Sequence, residues 1–389
     1  MARVYLDHAS QWPLRPEARQ ALADAWELTT GDPARTHVEG RRSRELLDRA
    51  TSATADLLGV ADTGLVWTAS GTEAVHLAVL GTARAARLRA PDRRRVVVGA
   101  VEHSAVLRAV ERLAEEDGFD VEVVGVDRSG AIDLERMAAA ITDRTLAVHL
   151  QHANHEVGVI QPTHEVSLLC REHGALLHVD ACQSVGQVGL TAAQVGADLL
   201  SASCGKFGGP RGVGLLAVGE RSRIAPLLEG DDRQRLRRAG ALDVAAIAAA
   251  AVALQVATDS LQHEHSHREM LRRRLRTGLL ERIDDLEVHG PLADAHPGIV
   301  AATARHVDGE VLASALDDRG FAVHSGSSCT AMPWEEPSHV LVAMGVETRG
   351  HVRVCVGPET TERDVDDLLI ATAEAVSDLR RGARSSPSR

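Results

Sequence analysis

Between residues 94 and 218 short β-branched apolar runs recur, separated by stretches whose apolar positions fall three and four apart. The runs are RRVVVGA (94–100), VEVVGV (121–126), RTLAVHL (144–150), GALLHVD (174–180), DLLSAS (198–203) and VGLLAV (213–218). Their length and β-branching predict strands, and the stretches between them, such as THEVSLLCREHG with Gly174 as its stop, predict helices. Strand and helix in alternation give an α/β chain with a largely parallel sheet covered on both faces. In such sheets ligands sit beyond the carboxyl ends of the strands. From about 256 a long helix rich in Arg and Glu leads to a second set of signals, GIVAATARHV, GFAVHSG and HVRVCVG, which predicts a smaller C-terminal α/β domain. The division expected is an N-terminal segment (1–15) packing with the small domain, a large domain (16–255), the small domain (256–380) and a disordered tail (381–389).

Composition narrows this picture. Aromatic residues make up only 2% of the 389, so the core is built from Ala, Val and Leu. A formal charge of −12 speaks against general nucleic-acid or anionic-membrane binding. The Ala-rich run ALDVAAIAAAAVALQVA (241–257) is interrupted by Asp243 and reads as a buried helix, not a membrane span. Five cysteines, odd in number and without paired spacing, fit a reducing cytoplasm. His263 and His267 in HEHSH share a helical face, but no third ligand is near in sequence, so a solvated face explains them better than a metal.

One residue stands apart. Of 43 Lys and Arg residues only Lys206 is a lysine, leaving 42 arginines. Arginine can replace lysine in an ion pair, but its guanidinium cannot condense with an aldehyde, and Schiff-base chemistry needs a primary amine. Lys206 lies in SASCGKFGGPRG, among small residues that let a ligand approach the backbone. A phosphorylated aldehyde cofactor held there needs further parts, and each has a candidate. Ser70, Gly71 and Thr72 precede a helical run in TASGTEAVHLAVLGTAR, where a helix N-terminus binds anions, although the same letters make an ordinary N-cap. Asp180 ends an apolar strand, either to pair a protonated pyridine nitrogen or to cap a helix beginning just beyond it. His103 follows a strand in VEHSAV. Arg353, in HVRVCVG, offers the bidentate fork that fits a carboxylate, or else faces solvent on an edge strand. Cys329 lies in the Gly/Ser stretch HSGSSCTAMPWEEPSH, too small and polar to bury a structural thiol, so it reads as exposed and reactive. Cys170, Cys182, Cys204 and Cys355 read as structural.

With these motifs assembled, the chain resembles the cysteine desulfurases of the pyridoxal-phosphate class V aminotransferases, in the subgroup with a long cysteine-bearing loop. The resemblance runs through YLDHAS, DPARTH, GRRSR, VEHSAVL, ANHEVGVIQP, HVDACQSVGQ, GKFGGPRGVG, SGSSCT, EPSHVLVAMG and HVRVCVG. It implies an aspartate-aminotransferase-like (fold type I) large domain with a mostly parallel seven-stranded sheet, plus the smaller C-terminal domain. It implies that Lys206 carries pyridoxal 5'-phosphate as a Schiff base and takes the substrate's Cα proton. Asp180 would pair with the pyridine nitrogen, Gln183 with the ring hydroxyl, His103 would stack on the ring, and Ser70, Gly71, Thr72 and Ser203 would hold the phosphate. Asn154 and Arg353 would bind the carboxylate of L-cysteine, and Cys329 would form a persulfide for transfer to a protein acceptor, in a homodimer of two such chains. A carbon–sulfur lyase on the same scaffold, or an inactive sulfur-transfer scaffold, are the other readings. Two positions depart from the family pattern: Gly205 stands where histidine is usual, and the loop GDDRQRLRRAGA (230–241) ends in Ala241 where a phosphate-binding hydroxyl is usual. Arg233, Arg235 or Arg238 could compensate. HASQWP, in place of a run of small residues, would put His8 and Trp12 near the substrate entrance.

Overall fold

The computed structural model describes residues 3–87, 89–325 and 337–385. The chain opens on a two-residue strand, β1 (Val4–Tyr5), and then builds its main sheet from β2 (Leu65–Thr68), β3 (Arg95–Gly99), β4 (Asp120–Val124), β5 (Thr145–Gln151), β6 (Leu176–Asp180), β7 (Leu199–Ser203) and β8 (Gly214–Val218). The seven strands lie in the order β2-β8-β7-β6-β5-β3-β4. From β7 to β4 all neighbours are parallel, while β8 runs antiparallel to both β7 and β2. Helices on both faces satisfy the apolar runs: β5 is buried along its whole length.

The second region holds an antiparallel sheet of β9 (Leu286–His289), β10 (Ile299–Ala304) and β12 (His351–Cys355), with β10 central. β11 (Phe321–Ala322) pairs in parallel with β1, and Leu6 enters the core of this region beside Val300, Val354 and Leu368. The N-terminal segment then crosses to the large sheet, where Trp12 N donates to Gly205 O at 3.0 Å and Arg15 N to Gly208 O at 2.9 Å.

The buried helix expected within 241–257 and the long helix expected from about 256 are Val244–Asp259 and Leu261–Arg282, bent by 69°. Ser260 makes the break: its hydroxyl donates to Val256 O and contacts Glu264 Oε1, both at 2.7 Å, so it closes one helix and opens the next. The first of the pair is buried against helices 16–28 and 38–58, and no single helix among the described residues is long and apolar enough to cross a membrane. The final helix, Glu362–Ser385, runs on into the segment expected to be a disordered tail; residues 386–389 lie outside the described ones.

Candidate active site

A cavity of about 410 Å³ opens beyond the carboxyl ends of β5, β6 and β7. Lys206 reaches it from a single 3₁₀ turn, Cys204–Lys206, that comes directly after β7. Its Nζ donates to the carbonyls of Ala9 and Ser10, the latter at 2.7 Å. Burial lowers the ammonium's pKa, as expected when a cation is withdrawn from water, and so favours the nucleophilic neutral amine.

Around it the structure brings together Ser70, Gly71, Thr72, His103, Asp180, Gln183, Ser203 and Arg353. Ser70 caps the helix Gly71–His76, its hydroxyl accepting from Glu73 N at 3.1 Å. Gly71 is required by close approach: a Cβ there would lie 2.7 Å from Cys182 Sγ and 2.9 Å from Ser203 Cβ. His103 caps the helix Ser104–Asp117 and meets His155 edge to face, with ring centroids 5.2 Å apart. Burial, and then His155, lower the pKa of His103 and favour a neutral ring. Asp180 Oδ1 accepts from Cys182 N at 3.0 Å. Gln183 donates to Ala9 O at 2.7 Å, whereas its Oε1 is buried without a partner among the described residues. Arg353 is 4% exposed; its guanidinium donates to Asp7 at 2.7 Å, Ser10 Oγ at 2.9 Å and His155 O at 2.9 Å. It is therefore neither exposed nor a simple edge-strand arginine.

Asn154 is not brought to the cavity. Its side chain is fully buried in the turn after β5, where Oδ1 accepts from Glu156 N and Val157 N and Nδ2 donates to Val101 O. The neighbouring His155 and Glu156 line the cavity instead, as do His324 and His339. Burial would raise the Glu156 pKa, but His155 and the Ser338 hydroxyl hold the carboxylate down to about 2. Sequence reasoning passed over these residues because nothing in ANHEVG says which of two adjacent side chains faces inward.

His8 and Trp12 are not at an entrance either. Both are buried; His8 Nδ1 faces Cys355 O at 2.9 Å, and the guanidinium groups of Arg15 and Arg268 lie 5.4 and 5.3 Å from the Trp12 ring centre. No residue of 230–241 lines this cavity. Arg233 pairs with Asp32 and Asp231, and Arg238 with Glu73, while Gln234 bonds both the N–H and the carbonyl of Trp67 on edge strand β2. The volume vacated at Gly205 is filled by Gln11, whose Nε2 donates to Gly205 O at 2.8 Å.

Among the described cysteines only Cys182 lines the cavity. Burial, then the Asp180 carboxylate, raise its pKa, so it stays a thiol at neutral pH and is a poor nucleophile. Cys329 lies outside the described residues, but His324 and His339 on either side of its segment both line the cavity. No group of three or more His, Cys, Asp or Glu side chains among the described residues is placed to hold a metal, and His267 Nε2 is engaged by Thr360 O at 2.8 Å.

The model of the aminotransferase class-V family matches residues 4–368. An IscS-like cysteine desulfurase of Mycobacterium tuberculosis is 38% identical over 388 residues, covering 98% of each chain. A cysteine desulfurase IscS of Dictyoglomus turgidum is 32% identical, covering 97% of this chain and 95% of that one. The solved structure of a NifS-like protein superposes with a TM-score of 0.89 at 28% identity, over 97% of this chain and all of the other. The chain belongs to the class-V aminotransferases, a family that works with pyridoxal phosphate. Within that family it belongs with the cysteine desulfurases.

Proposed function

We propose that this chain binds pyridoxal 5'-phosphate on Lys206 and converts L-cysteine to L-alanine, collecting the sulfur as a persulfide on Cys329 for a protein acceptor. The observation that carries the reading is the chain's one lysine, its amine buried with a lowered pKa at the foot of a cavity at the ends of the central strands. The cavity fits the cofactor on its own terms. Gln183 Oε1 is a buried acceptor without a partner among the described residues, suited to a ring hydroxyl, and Ser70, Gly71, Thr72 and Ser203 line the cavity at a capped helix start, where a phosphate is favoured. Asp180 would hold the ring nitrogen, and His103 would stack on the ring.

When bound, the cofactor supplies an electron sink for charge developing at the substrate's Cα. The protein supplies the rest. Arg353 binds the substrate carboxylate, exchanging its contact with Ser10 for a charged one. Lys206, as the neutral amine, takes the Cα proton. Cys329 thiolate attacks the substrate sulfur; the S–S bond forms as the Cβ–S bond breaks, and the electron pair left on carbon is protonated to give alanine. The other four cysteines are unsuited to this step, because burial raises the thiol pKa of each, that of Cys170 to about 12. Because 230–241 does not reach its own cavity, the reading includes a homodimer in which that loop faces the other subunit.

The test is incubation of the purified holoprotein with L-cysteine, following alanine, and sulfide released by a reductant. Alanine and sulfide in equal amounts, with sulfide lost in Cys329→Ala while the cofactor band stays, support the reading. Pyruvate and ammonia would mean elimination instead, and no visible band after adding pyridoxal phosphate would reject the cofactor.

A further inference from the structure

Behind Asp180 a row of polar side chains crosses three strands inside the sheet. Ser201 on β7 is the register partner of Asp180 on β6, and His149 on β5 is that of His178 on β6. His178 and Asp180, two residues apart on one strand, share a face. The contacts are continuous: Ser201 Oγ lies 3.4 Å from Asp180 Oδ1, His178 Nε2 3.1 Å from Ser201 Oγ, and His149 Nδ1 3.1 Å from His178 Nδ1. Ser201 and His178 are 0% exposed and His149 is 1% exposed. Burial lowers the pKa of both histidines, and His149 lowers that of His178 further, so each ring carries one N–H.

That leaves two ways to place the protons. If Asp180 is ionised it can only accept, so the Ser201 hydroxyl donates to it. Ser201 then accepts from His178 Nε2–H, and the bare His178 Nδ1 accepts from His149 Nδ1–H. If the row runs the other way, Ser201 donates to His178, and the Asp180 oxygen beside it must be protonated to fill the remaining contact. The direction of the row and the charge of the aspartate are therefore coupled.

We propose that Ser201, His178 and His149 are positioning residues for Asp180, a one-way row of donors aimed at its carboxylate that holds it fixed at the cavity edge. The proposal rests on the reading of Asp180 as the partner of the cofactor's ring nitrogen, and it extends that pair into the sheet. A low-dielectric interior strengthens such an aligned row and makes a missing member costly. It also explains why two histidines sit in a sheet interior built mostly from Val, Leu and Ala.

The experiment is long-range proton–nitrogen NMR on the full chain labelled with ¹⁵N-histidine, with and without pyridoxal phosphate. At neutral pH His178 is expected as the Nε2–H tautomer and His149 as the Nδ1–H tautomer in both states, a measurement that needs no variant. Ser201→Ala is expected to remove the His178 preference and to weaken pyridoxal phosphate binding about tenfold, near the lower end for a hydrogen bond to a charged group; Ser201→Thr restores both. His178 found as Nδ1–H, or as an imidazolium, overturns the proposal, as does unchanged affinity in Ser201→Ala. Asp180→Ala separates the two claims. If it leaves cofactor affinity and absorption unaltered, the reading of Asp180 fails, whereas the row still stands or falls on the tautomers.

Discussion

At Gly205 a Cβ would meet the Gln11 amide, lying 2.6 Å from its Nε2 and 2.9 Å from its Oε1. The departures at these two positions therefore answer one another, a larger residue after YLDHAS filling the space given up beside the lysine. Gly205→Ala should displace the Gln11 amide from Gly205 O and cost about 1 kcal/mol, one hydrogen bond. Gln11→Ala combined with Gly205→Ala should cost less than the sum of the single changes, read as non-additivity in urea midpoints. Lys206→Arg keeps the charge and should abolish both the visible cofactor band and alanine formation, because no primary amine remains. Lys206 was legible in the sequence as the chain's one lysine and Asp180 as the acid that ends an apolar strand, whereas Ser203 was named for the phosphate only through the family resemblance. The exchange of Asn154 for His155 was not legible. Which of the two faces the cavity is set by the turn's own bonds to Asn154 Oδ1 from Glu156 N and Val157 N, which no periodicity encodes.

Among elements, the helix Leu261–Arg282 ties the N-terminal segment to the large sheet through Arg268, which is 0% exposed. Its guanidinium donates to Gln187 O at 3.0 Å, Gln187 Oε1 at 3.1 Å and Glu264 O at 3.3 Å, and it lies 5.3 Å from the Trp12 ring centre. Beside it Arg15 grips Glu264 with two bonds of 2.8 and 2.9 Å. Arg268→Ala would strand the carbonyl of Gln187, remove the cation beside the Trp12 ring and open a void. A loss of about 3–5 kcal/mol is expected, measured by denaturant unfolding with the large-sheet cofactor band followed in parallel. Most strands were legible because β-branched runs are bounded by turns. β2 was not, since LVWT gives three apolar residues and a threonine with no alternation, and β9 was not, since LEVH alternates over only four residues, the shortest run that signals a strand. The change near 256 from an Ala-rich to an Arg-rich pattern marks two helices, while the bend at Ser260 is made by a hydroxyl returning to its own helix.

Across the whole molecule the sequence's 19 histidines acquire a consequence that composition alone does not reveal. His149, His178, His296 and His351 are buried, and burial is the first cause lowering the pKa of each. Their folded pKa values lie below the unfolded value near 6.5, so as pH falls through about 6.5 the unfolded chain takes up protons that the folded one refuses. Stability is thus retained above about pH 6.5 and lost below it, at about 1.4 kcal/mol per pH unit for each such histidine, or roughly 5 kcal/mol per unit for the four. Acid sensitivity should begin about two units higher than in a protein limited by its carboxylates. His351 provides the sharpest check, because neither of its ring nitrogens has a partner among the described residues and burial carries its pKa down to about 3. His351→Leu removes two unsatisfied polar atoms as well as the proton uptake of the unfolded chain. Urea midpoints measured at about pH 7, 6 and 5 should therefore fall less steeply for the variant than for the parent, the gap widening toward the acid end as the unfolded histidine charges. Parallel midpoints over that range would mean that His351 takes up its proton without unfolding the small sheet.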